Sequence, residues 1–154
     1  MISLTKINSV PSRRIHPKER FSMSTKGIRD FRPQLHFTPE SGWINDPNGL
    51  VYREGMYHLF AQYYPEPHWG PMHWYHAVST DLIHWQHLPI ALAPDELGYI
   101  FSGSAVYDQE NSSGFGKDGQ APVVAMYTSH KMRGSDDEHD QEQQSIAYSL
   151  DGVS

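Results

Sequence analysis

From Gly49 onward the chain is a series of short apolar and aromatic runs, broken every ten residues or so by Gly, Pro, Asn and Asp. No stretch carries a convincing helical period. LVYRE (50–54) reads as a short strand that ends in a turn at Glu54-Gly55. MYHLFAQYY (56–64), rich in aromatics and bounded by Pro65, predicts a strong strand. MHWYHAVS (72–79) predicts a third, and Thr80-Asp81 turns the chain. WQHLPIALAP (85–94) follows as an edge strand, because Pro89 removes a ladder donor. Four antiparallel strands in about 45 residues is the length of one propeller blade. A second round follows: FSGSAVYD (101–108), PVVAMYTSH (122–130) and QQSIAYS (143–149), with a charged loop over 131–142 and a hairpin turn at Asp151-Gly152. The expected fold is all-β and propeller-like, with one four-stranded blade followed by a second that has three strands and a turn but no fourth strand. A β-sandwich is the rival all-β architecture.

Charge divides the chain. Residues 1–30 hold seven Lys/Arg and two Asp/Glu, a net of +5. The rest holds five against sixteen, a net of −11, and the two give the overall −6. Residues 1–31 are expected to be a disordered leader. They lack the apolar core of a secretory signal, so a cytoplasmic location is the default, and export would need a different N-terminus. The acidic body argues against nucleic acid, which needs clustered Lys/Arg. No run approaches the roughly 18–20 apolar residues of a membrane helix. The chain has no cysteine, which removes disulfides, thiol catalysis and thiolate zinc sites.

The candidate chemistry lies between Trp43 and Trp85, where ten residues are aromatic, including all four tryptophans. Most suit a β-core with cross-strand pairs. Trp43, Trp69 and Trp74, however, stand beside Gly, Pro, Asn and His. That mixture suits a sugar, with its apolar C–H face and polar rim. In WINDPNGL (43–50), Asp46 precedes Pro47, and Pro47-Asn48-Gly49 reads as a turn. Turn chemistry alone makes Asp46 structural, although a tight turn also holds a nucleophile well. The pairs His73/His76 and His84/His87 have metal-like spacing. On extended segments a spacing of three puts side chains on opposite faces, so no metal site is expected. Gly114-x-Gly116-x-x-Gly119 enters no helical pattern and reads as a plain loop rather than a phosphate cradle.

Four segments then stand in a familiar order: RPQLHFTPESGWINDPNG (32–49), YHLFAQYYPEPHWGPMHWYHAVSTDLIHWQHLPIAL (57–92), FSGSAV (101–106) and QSIAYS with the following Asp151-Gly152. Together they resemble glycoside hydrolase family 32, the invertases, levanases, exo-inulinases and sucrose-6-phosphate hydrolases. The resemblance covers residues 32–152. It implies a five-bladed β-propeller with an axial active site, followed by a β-sandwich, with this chain covering about the first two blades, and a retaining mechanism with Asp46 as nucleophile on a terminal fructofuranose. It also implies that Asn45, Gln62, Trp69, Phe101 and Ser102 bind the sugar and that Trp43 helps wall the pocket. No cofactor is implied, since carboxylates do this chemistry. The expected partner is a small or polymeric fructoside. Nothing in the sequence sets the oligomeric state.

Two motifs of that family are missing. Its acid/base is a Glu in a Glu-Cys motif, and this chain has no Cys. Its stabilising Asp lies in Arg-Asp-Pro, whereas the one Arg-Asp here, Arg29-Asp30, precedes the first motif and is followed by Phe31. Residues 32–154 are therefore expected to be the N-terminal part of a truncated catalytic propeller, inactive alone. The long loop after FSGSAV looks more like levanases and exo-inulinases than phosphosucrose hydrolases. A non-catalytic carbohydrate-binding fragment and a fructosyltransferase of the same fold share these motifs and stay open.

Overall fold

A computed structural model describes residues 32–33, 35–132 and 139–153. The expected leader (1–31), Arg29-Asp30 and the middle of the charged loop lie outside the described residues. The described chain is all-β. Strands β1 (Trp43–Arg53), β2 (Met56–Tyr64), β3 (His73–Ser79) and β4 (Gln86–Leu92) form one antiparallel sheet in the order β1-β2-β3-β4. Strands β5 (Tyr99–Tyr107), β6 (Val123–Lys131) and β7 (Gln141–Ser149) form a second, in the order β5-β6-β7. Each expected strand has its counterpart.

The main correction is at the start. WINDPNG is not a turn leading to a strand at Leu50; it is itself strand, and β1 begins at Trp43. The turn-forming residues are absorbed by two register shifts against β2, between Ile44 and Pro47 and between Asn48 and Val51. Pro47, which has no N–H to give the ladder, pairs with Ala61 directly beside the first shift. Gly49 takes φ +57°, and a Cβ on it would come within 2.9 Å of the Trp74 ring. Pro89 is accommodated in the same way, where the β3–β4 register shifts between Trp74 and His76 on an edge strand.

The two sheets repeat a local device that the sequence carries as Ala-x-Ser-x-Asp. Where β3 ends, the Ser79 hydroxyl donates to Asp81 Oδ1 (3.0 Å) and accepts from the Leu82 N–H (2.8 Å). Where β7 ends, the Ser149 hydroxyl donates to Asp151 Oδ1 (2.8 Å) and accepts from the Gly152 N–H (2.8 Å). Leu82 (φ 64°) and Gly152 (φ 76°) take the left-handed conformation at the same step. One turn thus recurs after the third strand of each sheet, as in a repeated structural unit. The His84 ring, then the backbone N–H groups of His84 and Ile83, hold the Asp81 carboxyl well below the usual carboxylate range.

Between the sheets, Phe60, Trp74, Ile100 and Tyr127 form a buried cluster, with Val51, Ala91, Leu92, Ala125 and Ala147 packed against it. The opposite face of the first sheet buries Ala61, Tyr63, Tyr75 and Ala77 under Phe37, Ile44 and Trp85. The middle strands β2 and β3 are thus covered on both faces, which explains their nearly unbroken apolar character. Each large side chain so buried contributes roughly 1.5–3 kcal/mol.

One polar pair sits in this core. His58 Nδ1 and His76 Nε2 lie 3.0 Å apart, and the His76 ring stacks on Phe60 at 4.4 Å. Burial, then repulsion from His58, lowers the His76 pKa to about 4; burial, then the Arg53 charge, lowers that of His58. The unfolded chain takes up these protons near pH 6.5 and the folded chain only near 4 for His76. Stability is therefore complete above pH 6.5 and falls as the pH drops towards 4, by about 3 kcal/mol at most from His76. Thermal melts of the intact protein at pH 7 and pH 4.5 should show this loss. His76→Gln, which keeps a hydrogen-bonding group without the titration, should remove most of it. An equal loss in variant and wild type would place the titration elsewhere.

Candidate active site

Each sheet carries a bulge at the same place in its first strand. In β1 the register runs Ile44↔Tyr63 and then Pro47↔Ala61, so Asn45 and Asp46 together oppose Gln62. In β5 it runs Ile100↔Ser129 and then Gly103↔Tyr127, so Phe101 and Ser102 together oppose Thr128. A bulge re-aims the side chains it carries. Here the two bulges face one another across the two sheets, and the Ser102 hydroxyl donates to Asp46 Oδ2 at 3.3 Å.

Three hydrogen bonds set the second bulge against the first sheet. The Ile100 N–H donates to the Met72 carbonyl (2.9 Å), the Gln62 amide to the Ile100 carbonyl (3.0 Å), and the Trp74 indole to the Phe101 carbonyl (3.0 Å). Gln62 and Trp74 are buried, so these bonds form away from competing water. Gly103 completes the bulge, since a Cβ there would stand 2.1 Å from the Met126 carbonyl oxygen.

The result is an open cavity of about 460 Å³. Asn45, Asp46, Gln62, Trp69, Phe101 and Ser102, all expected to bind a sugar, line it together. Trp43 does not line it. Its indole instead donates to Asn45 Oδ1 (2.8 Å), which leaves the Asn45 NH₂ free to donate. Gln62 is oriented the other way, with its NH₂ engaged and its carbonyl left as an acceptor. Trp69, 46% exposed, stands edge-on to Tyr99 and Phe101. The Asn48 amide donates to the Asp46 carbonyl (3.2 Å), fixing the backbone behind the carboxylate.

Met72, Thr128 and Glu142 also line the cavity, and sequence reasoning missed them. Their signal was the register: Thr128 takes in the second sheet the place that Gln62 takes in the first. Glu142 Oε1 lies 3.0 Å from His130 Nδ1, and the His130 ring stacks on Phe101 at 4.2 Å. His130 thereby braces both a cavity carboxylate and the aromatic wall.

The histidines of the two metal-like pairs have separate partners. His73 faces the Pro71 carbonyl, His76 faces His58, His84 faces Asp81 and His87 faces Tyr75. Among the described residues no three His, Asp or Glu side chains gather as a ligand set. Gly114 to Gly119 remains a loop, pinned by the Gly116 N–H donating to Asn111 Oδ1 (2.6 Å) and by Phe115 stacking on Tyr148. A second, apolar cleft lies between the sheets, lined by Phe60, Trp74, Ala91, Ala125 and Ala147, with His76 its one titratable side chain besides Tyr148. The polar cavity is the candidate site: it brings together two carboxylates, Asp46 beside the Ser102 hydroxyl and Glu142 beside His130, with two oriented amides and an aromatic wall.

Residues 36–154 match the family model described as the N-terminal domain of glycosyl hydrolases family 32. The chain is 58% identical over 123 residues to a levanase of Bacillus subtilis, covering 79% of this chain and 17% of that one. It superposes on the crystal structure of an exo-inulinase from Aspergillus awamori with a TM-score of 0.70 at 50% identity, covering 78% of this chain and 26% of that one. A fructofuranosidase of Schwanniomyces occidentalis, solved in complex with fructosylnystose, gives a TM-score of 0.68 at 45% identity, covering 79% and 24%. The chain thus spans about a quarter or less of the length of these relatives.

Proposed function

Because this chain belongs to glycosyl hydrolase family 32, we propose that residues 32–154 are the N-terminal part of the catalytic propeller of a β-fructofuranosidase-type hydrolase. The enzyme cleaves terminal β-D-fructofuranosyl residues from sucrose or from fructans such as levan and inulin. The observation that carries this reading is the first bulge, which lifts Asn45 and Asp46 out of the ladder into a cavity they share with Gln62, Trp69, Phe101 and Ser102.

Asp46 attacks the anomeric carbon as the bond to the leaving oxygen breaks, and a general acid gives that oxygen its proton. Water then hydrolyses the fructosyl-enzyme ester, so configuration is retained. Ser102, bonded to Asp46 Oδ2, orients the carboxylate and leaves Oδ1 for attack. The Asn45 NH₂ and the Gln62 carbonyl meet sugar hydroxyls as donor and acceptor, and Trp69 and Phe101 cover the apolar face of the ring. None of the described lining residues is Lys or Arg, which suits neutral rather than phosphorylated fructosides.

Retention requires a second carboxyl group about 5–5.5 Å from the first. Glu142, the other carboxylate lining the cavity, is engaged by His130. The chain contains no Glu-Cys and no Arg-Asp-Pro after the first motif. The general acid and the stabilising Asp therefore come from elsewhere in the intact enzyme, and residues 1–154 alone do not turn over. The intact enzyme should release fructose from sucrose, levan and inulin, and NMR of the first-formed product should show β-fructofuranose. Inverted product, no release, or fructose release by residues 1–154 alone would each contradict this account.

A further inference from the structure

We propose that Thr128 is a further substrate-binding residue, whose hydroxyl donates a hydrogen bond to a sugar hydroxyl in the cavity; this rests on the fructosidase reading above. The first argument is the repeated register. Each sheet sets two residues of its bulged first strand opposite one residue of its second strand: Asn45 and Asp46 opposite Gln62, Phe101 and Ser102 opposite Thr128. All six side chains reach the same cavity. The fold thus presents two equivalent triplets to one ligand, and Thr128 is the member whose task is unassigned.

The second argument is the hydrogen bonding of Thr128. Its Oγ1 accepts a hydrogen bond from the Gln144 side-chain amide at 2.9 Å. Thr128 and Gln144 are cross-strand partners in the β6–β7 ladder, so the bond is held by backbone register as well as by side chains. A hydroxyl has one proton and two acceptor positions. With one acceptor position filled by Gln144, the proton is directed away from β7. No described protein group takes it, and a bound sugar hydroxyl can. The partner is complementary to Gln62, whose free atom is an acceptor. A fructosyl ring between the triplets would meet an acceptor from the first sheet and a donor from the second.

The third argument is that the hydroxyl's one described protein contact is the exposed bond from the Gln144 side chain. Thr128 is half-buried and belongs to neither apolar cluster. Its methyl group is kept by valine, so the hydroxyl can be removed without opening a hole in the wall.

The test is steady-state hydrolysis of sucrose and inulin by the intact enzyme and by Thr128→Val and Thr128→Ser. Thr128→Val should raise KM about three- to tenfold, the loss of one neutral hydrogen bond to the ligand, with kcat within about twofold and an unchanged melting temperature. Thr128→Ser, which keeps the hydroxyl, should restore KM to near the wild-type value. An unchanged KM in Thr128→Val, or an equal rise in both variants, would overturn the proposal while the fructosidase reading stood. A wild-type enzyme without activity on either substrate would overturn both.

Discussion

Asp46→Asn should abolish fructose release from the intact enzyme, lowering kcat on the order of 10⁴-fold or more, while sugar binding survives. The substitution is nearly isosteric. It keeps an oxygen that can accept from Ser102, 3.3 Å from Asp46 Oδ2, and it leaves the bulge and the Asn48 bond to the Asp46 carbonyl in place. What it removes is the charged oxygen that the proposed mechanism needs to form the ester. The effect should therefore fall on kcat, with binding of a fructoside by calorimetry within a few-fold of wild type. A non-catalytic binding fragment predicts no special role for this side chain. Wild-type turnover in Asp46→Asn would end its assignment as nucleophile, and lost binding with a lowered melting temperature would make it a structural residue.

The second large effect is expected at Gly103, a position with no chemistry of its own. Its φ is ordinary, so the demand for glycine is steric: a Cβ would meet the Met126 carbonyl oxygen at 2.1 Å, and backbone cannot swing aside as a side chain can. Gly103→Ala must push β5 away from β6 at the bulge that holds Phe101 and Ser102. Closing the ladder against this contact should cost roughly 3 kcal/mol or more. The same displacement should pull Ser102 from Asp46 and raise KM. Melting curves and kinetics of the intact enzyme check both. A variant that melts within a degree or two of wild type, with unchanged KM, would mean that the strand can relax around the methyl group. Gly55→Ala is the useful control, since a Cβ there meets nothing within 4 Å, although its φ of +88° still disfavours alanine.

Much of the strand architecture was legible because its rules are local. MYHLFAQYY is apolar and aromatic nearly throughout, and it forms β2 from Met56 to Tyr64 as expected. QQSIAYS and PVVAMYTSH locate β7 and β6 to within a residue or two. The serine and aspartate that close β3 and β7 could also have been found in sequence, since Ala77-Val78-Ser79-Thr80-Asp81 and Ala147-Tyr148-Ser149-Leu150-Asp151 share one pattern. WINDPNG shows where local rules stop. Asp-Pro-Asn-Gly is good turn chemistry, but a bulged strand satisfies the same preferences: Pro47, without an N–H to donate, sits beside a register shift, and Gly49 supplies the left-handed residue. Only pairing with β2 decides between the two, and pairing is not local.

Asn45, Asp46, Gln62, Trp69, Phe101 and Ser102 were named from motif resemblance, which identifies residues without saying what arranges them. Thr128 and Glu142 escaped because a threonine between Tyr127 and Ser129, and a glutamate at the edge of a charged loop, look ordinary in sequence. They become part of the site through strand register, which sets Thr128 opposite a bulge, and through His130, which reaches Glu142 from the neighbouring strand.

The sequence by itself determined the all-β class, the strand succession and the presence of one carboxylate among amides and aromatics, because alternation, turn residues and side-chain chemistry act over a few residues. The tertiary structure alone decided that Asp46 and Ser102, 56 positions apart, meet at 3.3 Å. It also decided which atoms of Asn45 and Gln62 remain free for a ligand, and that Trp43 serves Asn45 rather than the cavity wall. Those outcomes depend on two bulges in separate sheets and on the hydrogen bonds that hold one sheet against the other, and such contacts exist only once the chain has folded.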